Sequence, residues 1–316
     1  MYQRVIVTGS LSYDHIMGMP TRFRDHIMPD KLHVLNVSFI MKRFRREFGG
    51  TGGNIAYTLS LLKTPSILVA TAGSDFAPYK KHLKKQKFID AAGIKTYKNI
   101  ATAHGFVMTD QDDNQIWGFY EGAMKKAGKV DLKKYFQKGD FLVIAPNDPN
   151  AMIKYADEAI LAKIPFMFDP AFNIPHFSIS KLKKASVNAD ILIGNDYEIE
   201  LIRRKLKWTK KQLSSRTNIV ITTLGAKGSK IENKEKTIKI PPAKPQNTSD
   251  PTGAGDCYRA GFLAGYFKGS SLKVCGRMGS ITSVYTVEKY GTQTHGFTKE
   301  EFIERYKQNF GKTILV

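Results

Sequence analysis

The chain has 316 residues, 42% of them hydrophobic and 24% charged, which is enough to bury a substantial core and excludes wholesale disorder. No run approaches the ~18 uninterrupted apolar residues of a membrane span; Met1 to Arg4 lead straight into Val5-Ile6-Val7-Thr8-Gly9 without a signal-peptide pattern, and Cys257 and Cys275 offer neither metal spacing nor a disulfide framework, so a cytoplasmic, reduced protein is expected. The net charge of +21 suits an anionic ligand, but the basic clusters at 80–87, 125–134, 181–184 and 203–211 fall on amphipathic surface helices without interleaved aromatics, so a solvated lysine-rich surface is expected, with no nucleic-acid and no membrane partner.

In chain order, residues 4–9 read as a strand and 53–63 as a helix, with Ile55, Leu59 and Leu62 on one face. Residues 66–72 read as a buried strand and 79–88 as a basic amphipathic helix. Strands follow at 141–145, 165–169, 191–194 and 218–223, with helices at 152–163 and 197–206 between them. This alternation predicts βαβ units, a mainly parallel sheet and helical layers on both sides. Two regions break the rhythm. Residues 34–40 read as a strand, and 103–120 as a hairpin turning at 110–114. Extended segments inserted into an α/β chain predict a small separate sheet, placed as a lid. The expected division is 1–12, 47–102 and 123–316 for the core, with 13–46 and 103–122 for the lid. A second hairpin is expected at 229–240.

The segment richest in chemistry is Asp250-Pro251-Thr252-Gly253-Ala254-Gly255-Asp256, which leads into a helix of small and apolar residues at 257–267. A glycine-rich turn entering a helix presents unpaired N–H groups and the positive end of the helix dipole, which together bind an anion. A carboxylate beside a phosphate cradle can take the proton of an attacking hydroxyl. The competing reading is that Asp256 only caps its helix. Other phosphate motifs fail. Gly311-Lys312-Thr313 has Tyr306 where a P-loop needs its first glycine, and Gly9-Ser10-Leu11-Ser12 is not a G-x-G-x-x-G turn.

Four motifs then stand in order: Gly49-Gly50-Thr51-Gly52-Gly53-Asn54-Ile55-Ala56, Asn195-Asp196-Tyr197-Glu198, Thr223-Leu224-Gly225-Ala226-Lys227-Gly228, and the Asp250 to Asp256 turn. Together they resemble the signatures of the ribokinase-like (PfkB) carbohydrate and nucleoside kinases over nearly the whole chain. The resemblance implies a three-layer α/β/α sandwich with a small β-sheet lid. It implies ATP and Mg²⁺ as cofactors, with K⁺ in many relatives. It makes Asp256 the catalytic base, with Gly253, Ala254 and Gly255 as the anion hole. It places Asn195, Thr223, Gly225, Lys227 and Thr252 at the nucleotide, Asn195 and Glu198 near Mg²⁺ through water, and Asp250 with the Gly291-Thr292-Gln293 loop near a monovalent cation. Asp14, Gly50 and Asn54 would meet the hydroxyls of a ribose.

Asn36-Val37-Ser38-Phe39, Asn114-Gln115-Ile116, Tyr120-Glu121-Gly122-Ala123-Met124 and Ala145-Pro146-Asn147-Asp148-Pro149 resemble the prokaryotic adenosine or nucleoside kinase branch. This implies phosphorylation of the 5′-hydroxyl of adenosine or a related ribonucleoside, with aromatics such as Phe39 and Phe119 offering flat faces to a base. The alternative within the fold is a sugar or sugar-phosphate kinase, and outside it a non-catalytic nucleotide- or nucleic-acid-binding protein. One departure stands out. That branch continues its Asp-Pro strand end with Gly-Gln, whereas this chain has Asp169-Pro170-Ala171-Phe172. The resemblance admits a monomer or a homodimer.

Overall fold

The computed structural model describes residues 2–34, 36–112 and 114–314. Leu35 of the expected strand at 34–40 and Asp113 of the expected turn at 110–114 lie outside the described residues. In chain order the elements are β1 (Arg4–Thr8), β2 (Ser12–Gly18), β3 (Arg43–Gly49), α1 (Thr51–Leu61), β4 (Ser66–Val69), β5 (Thr71–Ala72), α2 (Ala77–Leu83), β6 (Ile89–Asp90) and β7 (Lys95–Thr96). Next come β8 (Ala103–Thr109), β9 (Gln115–Tyr120), β10 (Asp140–Ile144), α3 (Pro149–Ala162), β11 (Phe166–Phe168), α4 (Ile179–Asn188), β12 (Ile191–Asn195), α5 (Asp196–Lys205), α6 (Lys210–Arg216) and β13 (Ile219–Thr223). The chain ends with β14 (Ser229–Glu232), β15 (Thr237–Ile240), α7 (Ala254–Phe267), α8 (Leu272–Val287) and α9 (Lys299–Phe310).

The large sheet runs β15-β14-β13-β12-β11-β10-β1-β4-β6. All pairs from β13 to β6 are parallel, and the β13–β14 and β14–β15 pairs are antiparallel. The parallel strands are apolar on both faces, as a sheet covered by two helical layers requires. Val5, Val7, Ile191 and Ile193 point into one core with Ile55 and Leu59 of α1 and Phe262 and Leu263 of α7. Ile6, Leu142 and Leu192 point into the other, with Met152 and Tyr155 of α3, Leu182 of α4 and Ile202 of α5. The chain leaves β1 toward β4 on one side and continues from β10 toward β11 on the other. The crevice beyond the carboxyl ends of β1 and β10 is therefore a topological switch point, where open α/β sheets bind ligands.

A separate four-stranded sheet runs β3-β2-β8-β9. The β8–β9 hairpin matches the expectation, but the described residues of the expected strand at 34–40 form none. Pro29–Val34 form a 3₁₀ turn, and 36–40 lie outside helix and strand. The strand that completes the sheet is β3, Arg-Phe-Arg-Arg-Glu-Phe-Gly. Its charge hides it from a hydrophobicity reading, and charge is what an exposed edge strand carries.

Candidate active site

The carboxyl ends of the parallel strands deliver the site. Asp14 lies on β2 just beyond β1, Asp169 follows β11, Asn195 ends β12 and Thr223 ends β13. The α7 N-terminus comes in opposite them. Gly253 caps that helix with φ +78, a left-handed conformation natural only to glycine. Among the described residues, the N–H groups of Gly253, Gly255 and Asp256 meet no protein acceptor, whereas the Ala254 N–H donates to Pro251 O at 3.2 Å. The expected three-donor hole is thus arranged with Asp256 N–H free and Ala254 N–H engaged in the turn.

Asp256 sits in the first turn of α7. Burial pushes its carboxyl up to about 7, while Arg259 and the Asn54 amide pull it down and Asp169 and Asp14 add to the rise. Asn54 Nδ2 donates to Asp256 Oδ2 at 2.8 Å, joining the N-terminal and C-terminal motifs across 202 residues. Asp14 is buried, accepts from Ser12 Oγ at 3.0 Å, and is pushed up to about 6, mainly by burial. Gly50 precedes α1 with φ +88. Phe119 pairs with Gly105, which pairs in turn with Asp14, so Phe119 and Asp14 share one face of the lid. Phe119 is half exposed there. Phe39 packs edge-on against Phe23 and His26 in the insertion between β2 and β3.

On the nucleotide side, Asn195 and Glu198 form a reciprocal cap. Asn195 Oδ1 accepts from Glu198 N at 2.8 Å and Glu198 Oε2 from Asn195 N at 2.7 Å. Burial, then Asp169, raise the Glu198 carboxyl. Gly225 (φ +57) and Lys227 form an exposed 3₁₀ turn after β13. Asp250 ties two loops: Oδ1 accepts from Thr252 N at 2.9 Å and Oδ2 from Gly291 N at 3.3 Å. Cys257 is a buried thiol pushed up to about 12 by burial, a packing residue.

Two residues have roles that the sequence does not show. Arg259, one turn beyond Asp256, is buried and pairs with buried Asp169, Nε to Oδ2 at 2.6 Å. Its guanidinium lies under the anion turn, since a Cβ on Gly255 would stand 2.8 Å from Nη1. Gln293 belongs to the expected cation loop, but its side chain reaches Asn54 and Tyr79 instead. An arginine on a helix and a loop glutamine are ordinary in sequence; only the fold reveals their partners.

Comparison with known proteins agrees with this geometry. The pattern of the pfkB family carbohydrate kinases matches residues 8–299. The nucleoside kinase of Methanothermobacter thermautotrophicus is 33% identical over 311 residues, 97% of this chain and 96% of that protein. The nucleoside kinase of Methanocaldococcus jannaschii is 30% identical over 309 residues, 97% of this chain and 98% of that one. The Burkholderia thailandensis nucleoside kinase in complex with inosine superposes with a TM-score of 0.89 at 31% identity, covering 98% of this chain and 99% of that one. The same protein has also been solved in complex with ADP-inosine. Shared motifs, fold and full-length similarity lead to one assignment: the chain belongs to the PfkB family of ribokinase-like kinases and is itself a kinase.

Proposed function

We propose that this kinase transfers the γ-phosphoryl group of ATP to the 5′-hydroxyl of a ribonucleoside, adenosine or a close relative. The observation that carries the reading is Asp256 beside the unpaired N–H groups of the α7 turn, with Asp14 buried within its electrostatic reach. In the step, Asp256 accepts the 5′-hydroxyl proton, the freed oxygen bonds to Pγ, and the bond from Pγ to the bridging β-phosphate oxygen breaks, releasing ADP. The N–H groups of Gly253, Gly255 and Asp256 take the charge gathering on the transferring group. A carboxyl near 7 suits a base working at neutral pH. Asp14 accepts the vicinal hydroxyls of the ribose, and Phe119 offers its face to the base. The lid, residues 13–46 and 103–122 with approximate bounds, shuts water out when the acceptor is bound. Thr223, Gly225, Lys227 and Thr252 line the ATP side.

The residues fit a Mg²⁺ that enters with the phosphates. Among the described residues no three acidic, histidine or cysteine side chains form a protein cage, but Mg²⁺ keeps several waters and needs few protein carboxylates. Asp169 Oδ1 is buried without a partner, and Glu198 faces the same edge. Bound there, Mg²⁺ neutralises phosphate charge. The acidic trio of Asp14, Glu47 and Asp250, in which Asp250 adds to the raised proton affinity of both Asp14 and Glu47, suits a monovalent cation such as K⁺.

A sugar-phosphate acceptor is favoured by one observation. Arg45 lies opposite Ile16 on the face of the lid that carries Asp14, above the ring of Tyr290. Mass spectrometry of the products from ATP and Mg²⁺ with adenosine, inosine, guanosine, cytidine, ribose or fructose 6-phosphate decides between them. A nucleoside monophosphate whose yield vanishes in Asp256→Asn supports the proposal. Product from fructose 6-phosphate or ribose alone overturns the nucleoside reading.

A further inference from the structure

We propose that Gln293 is a positioning residue that locks the carboxamide of Asn54 in the one orientation that donates a hydrogen bond to Asp256, and this rests on Asp256 being the base. The network is anchored on an atom that can only accept. Gly49 O takes a hydrogen bond from Tyr79 Oη at 2.8 Å, which consumes the single proton of the phenol. Tyr79 Oη can therefore only accept from Gln293, at 2.5 Å, so the atom facing it is Nε2. The other end of Gln293, Oε1, then faces His82 Nε2 at 3.0 Å, and that imidazole nitrogen carries the proton. Nε2 of Gln293 also donates to Asn54 at 3.0 Å, which makes the facing atom of Asn54 its Oδ1. The opposite atom, Nδ2, is then the one at 2.8 Å from Asp256 Oδ2.

Thr292 also touches Asn54 Oδ1, at 2.8 Å, but it does not decide the orientation. Its one hydroxyl proton is shared with Phe48 O at 2.9 Å. Given wholly to Phe48 O, it would leave the Thr292 oxygen as an acceptor, content with either face of the amide. Of the groups on the Oδ1 side of the amide, Gln293 alone discriminates. Without it, Asn54 can turn its oxygen toward the Asp256 carboxylate, oxygen against oxygen. Tyr79, Gln293, Asn54 and Thr292 are all buried, so water does not substitute for a lost partner. Gly53 makes room for the network: a Cβ there would stand 2.0 Å from Tyr79 Oη and 2.9 Å from Gln293 Nε2. One oxygen of Asp256 is thus held by Asn54, and the other is left for the hydroxyl of the acceptor. The charged groups acting on Asp256 from its surroundings are Arg259, Asp169 and Asp14, and Lys85 acts on His82 at the far end of the chain.

The test reads the titration of Asp256 without any substrate. Thermal melts from pH 4 to 9 are compared for the wild type and Asp256→Asn, and for Gln293→Met with and without Asp256→Asn. Within each pair, the difference opens at about pH 4, where the unfolded chain titrates, and levels off at the midpoint of the folded Asp256 carboxyl. Losing the Asn54 donor should move that midpoint upward by about one pH unit in the Gln293→Met pair. An unmoved midpoint in that folded variant overturns the inference. Kinetics with adenosine and inosine supply the second readout. Gln293→Glu, which forces Asn54 to turn its amide nitrogen toward the new carboxylate, should lower kcat about tenfold or more at pH 7 while KM for ATP stays within about twofold. A wild-type kcat in Gln293→Glu, beside an inactive Asp256→Asn, sinks the positioning role and spares the base. Near-normal turnover in Asp256→Asn sinks the base itself.

Discussion

Replacing Asp256 by asparagine should make the protein more stable while stopping its chemistry. The carboxyl is raised from 3.8 to about 7, chiefly by burial. At 1.36 kcal/mol per unit, a shift of roughly three units means that the ionised carboxylate costs about 4 kcal/mol in the folded state. Asp256 keeps some contact with solvent, so about 2 kcal/mol is the working figure. The cost has a defined pH window. Below pH ~4 the carboxyl is protonated in both the folded and unfolded chain, and Asp and Asn should be equal. As pH rises toward 7 the folded state gives up its proton less readily than the unfolded chain, so wild-type stability falls relative to the variant. Above 7 the whole penalty is present. Denaturant melts of both proteins from pH 4 to 9 measure it. A stability difference that stays flat across this range, or a variant less stable than wild type at pH 8, would refute the reasoning. The expected outcome, stability gained where activity is lost, is the trade made at sites that hold a strained charge.

Three further outcomes follow. Asp14→Ala removes the acceptor of the ribose hydroxyls and should raise KM for the nucleoside at least tenfold while leaving KM for ATP within about twofold, read from initial rates with each substrate varied; an unchanged nucleoside KM would dismiss the contact. Arg259→Met leaves Asp169 buried and unpaired, so equilibrium unfolding at pH 8 should show a loss of about 3–5 kcal/mol, and the loss should shrink at low pH as Asp169, already raised by burial, takes up a proton. Ala171 stands at φ +42, a left-handed conformation, so Ala171→Gly should gain about 0.5–1 kcal/mol by relieving the strain, seen as a higher Tm.

The parallel core was readable because its strands are short apolar runs between helical periods, and the two hairpins because polar turns separate extended pairs. Helices α8 and α9 carry no expectation from the pattern, and for α8 the reason is packing. Its buried face interleaves Met278, Ile281 and Val284 with Gly276, Gly279, Ser280, Thr282 and Thr286, residues that look like loop. Gly279 and Thr282 are small because α7 presses on them: a Cβ on Gly261 would stand 2.3 Å from Thr282 Oγ1, and one on Gly279 2.8 Å from Tyr258 O, whereas Gly276 makes room for Ile231 and Ile240 of the β14–β15 hairpin. In the site, Asp256, Asn54 and Asp14 were legible through local motifs. Arg259 and Gln293 were not, because their meaning lies in partners such as Asp169 and Tyr79, 90 and 214 positions away.

The strand order also governs how the chain comes to be folded. Strand β1 sits between β4 and β10, and its pairing with β10 joins Arg4 to Asp140. In the lid, β2 waits for β8, with Ser12 meeting Ala103. On a ribosome the first strands of both sheets therefore emerge with an open edge and stay open until more than a hundred further residues, for the core, have been made. Such long-range parallel pairing is slow and leaves apolar edges available to other chains. Strands β1 and β2 gain their missing partners within one stretch, residues 103–144, so a nascent chain halted before that point leaves both with an open edge, and one extended past it completes the lid sheet and closes β1 while β11 to β15 are still to be added.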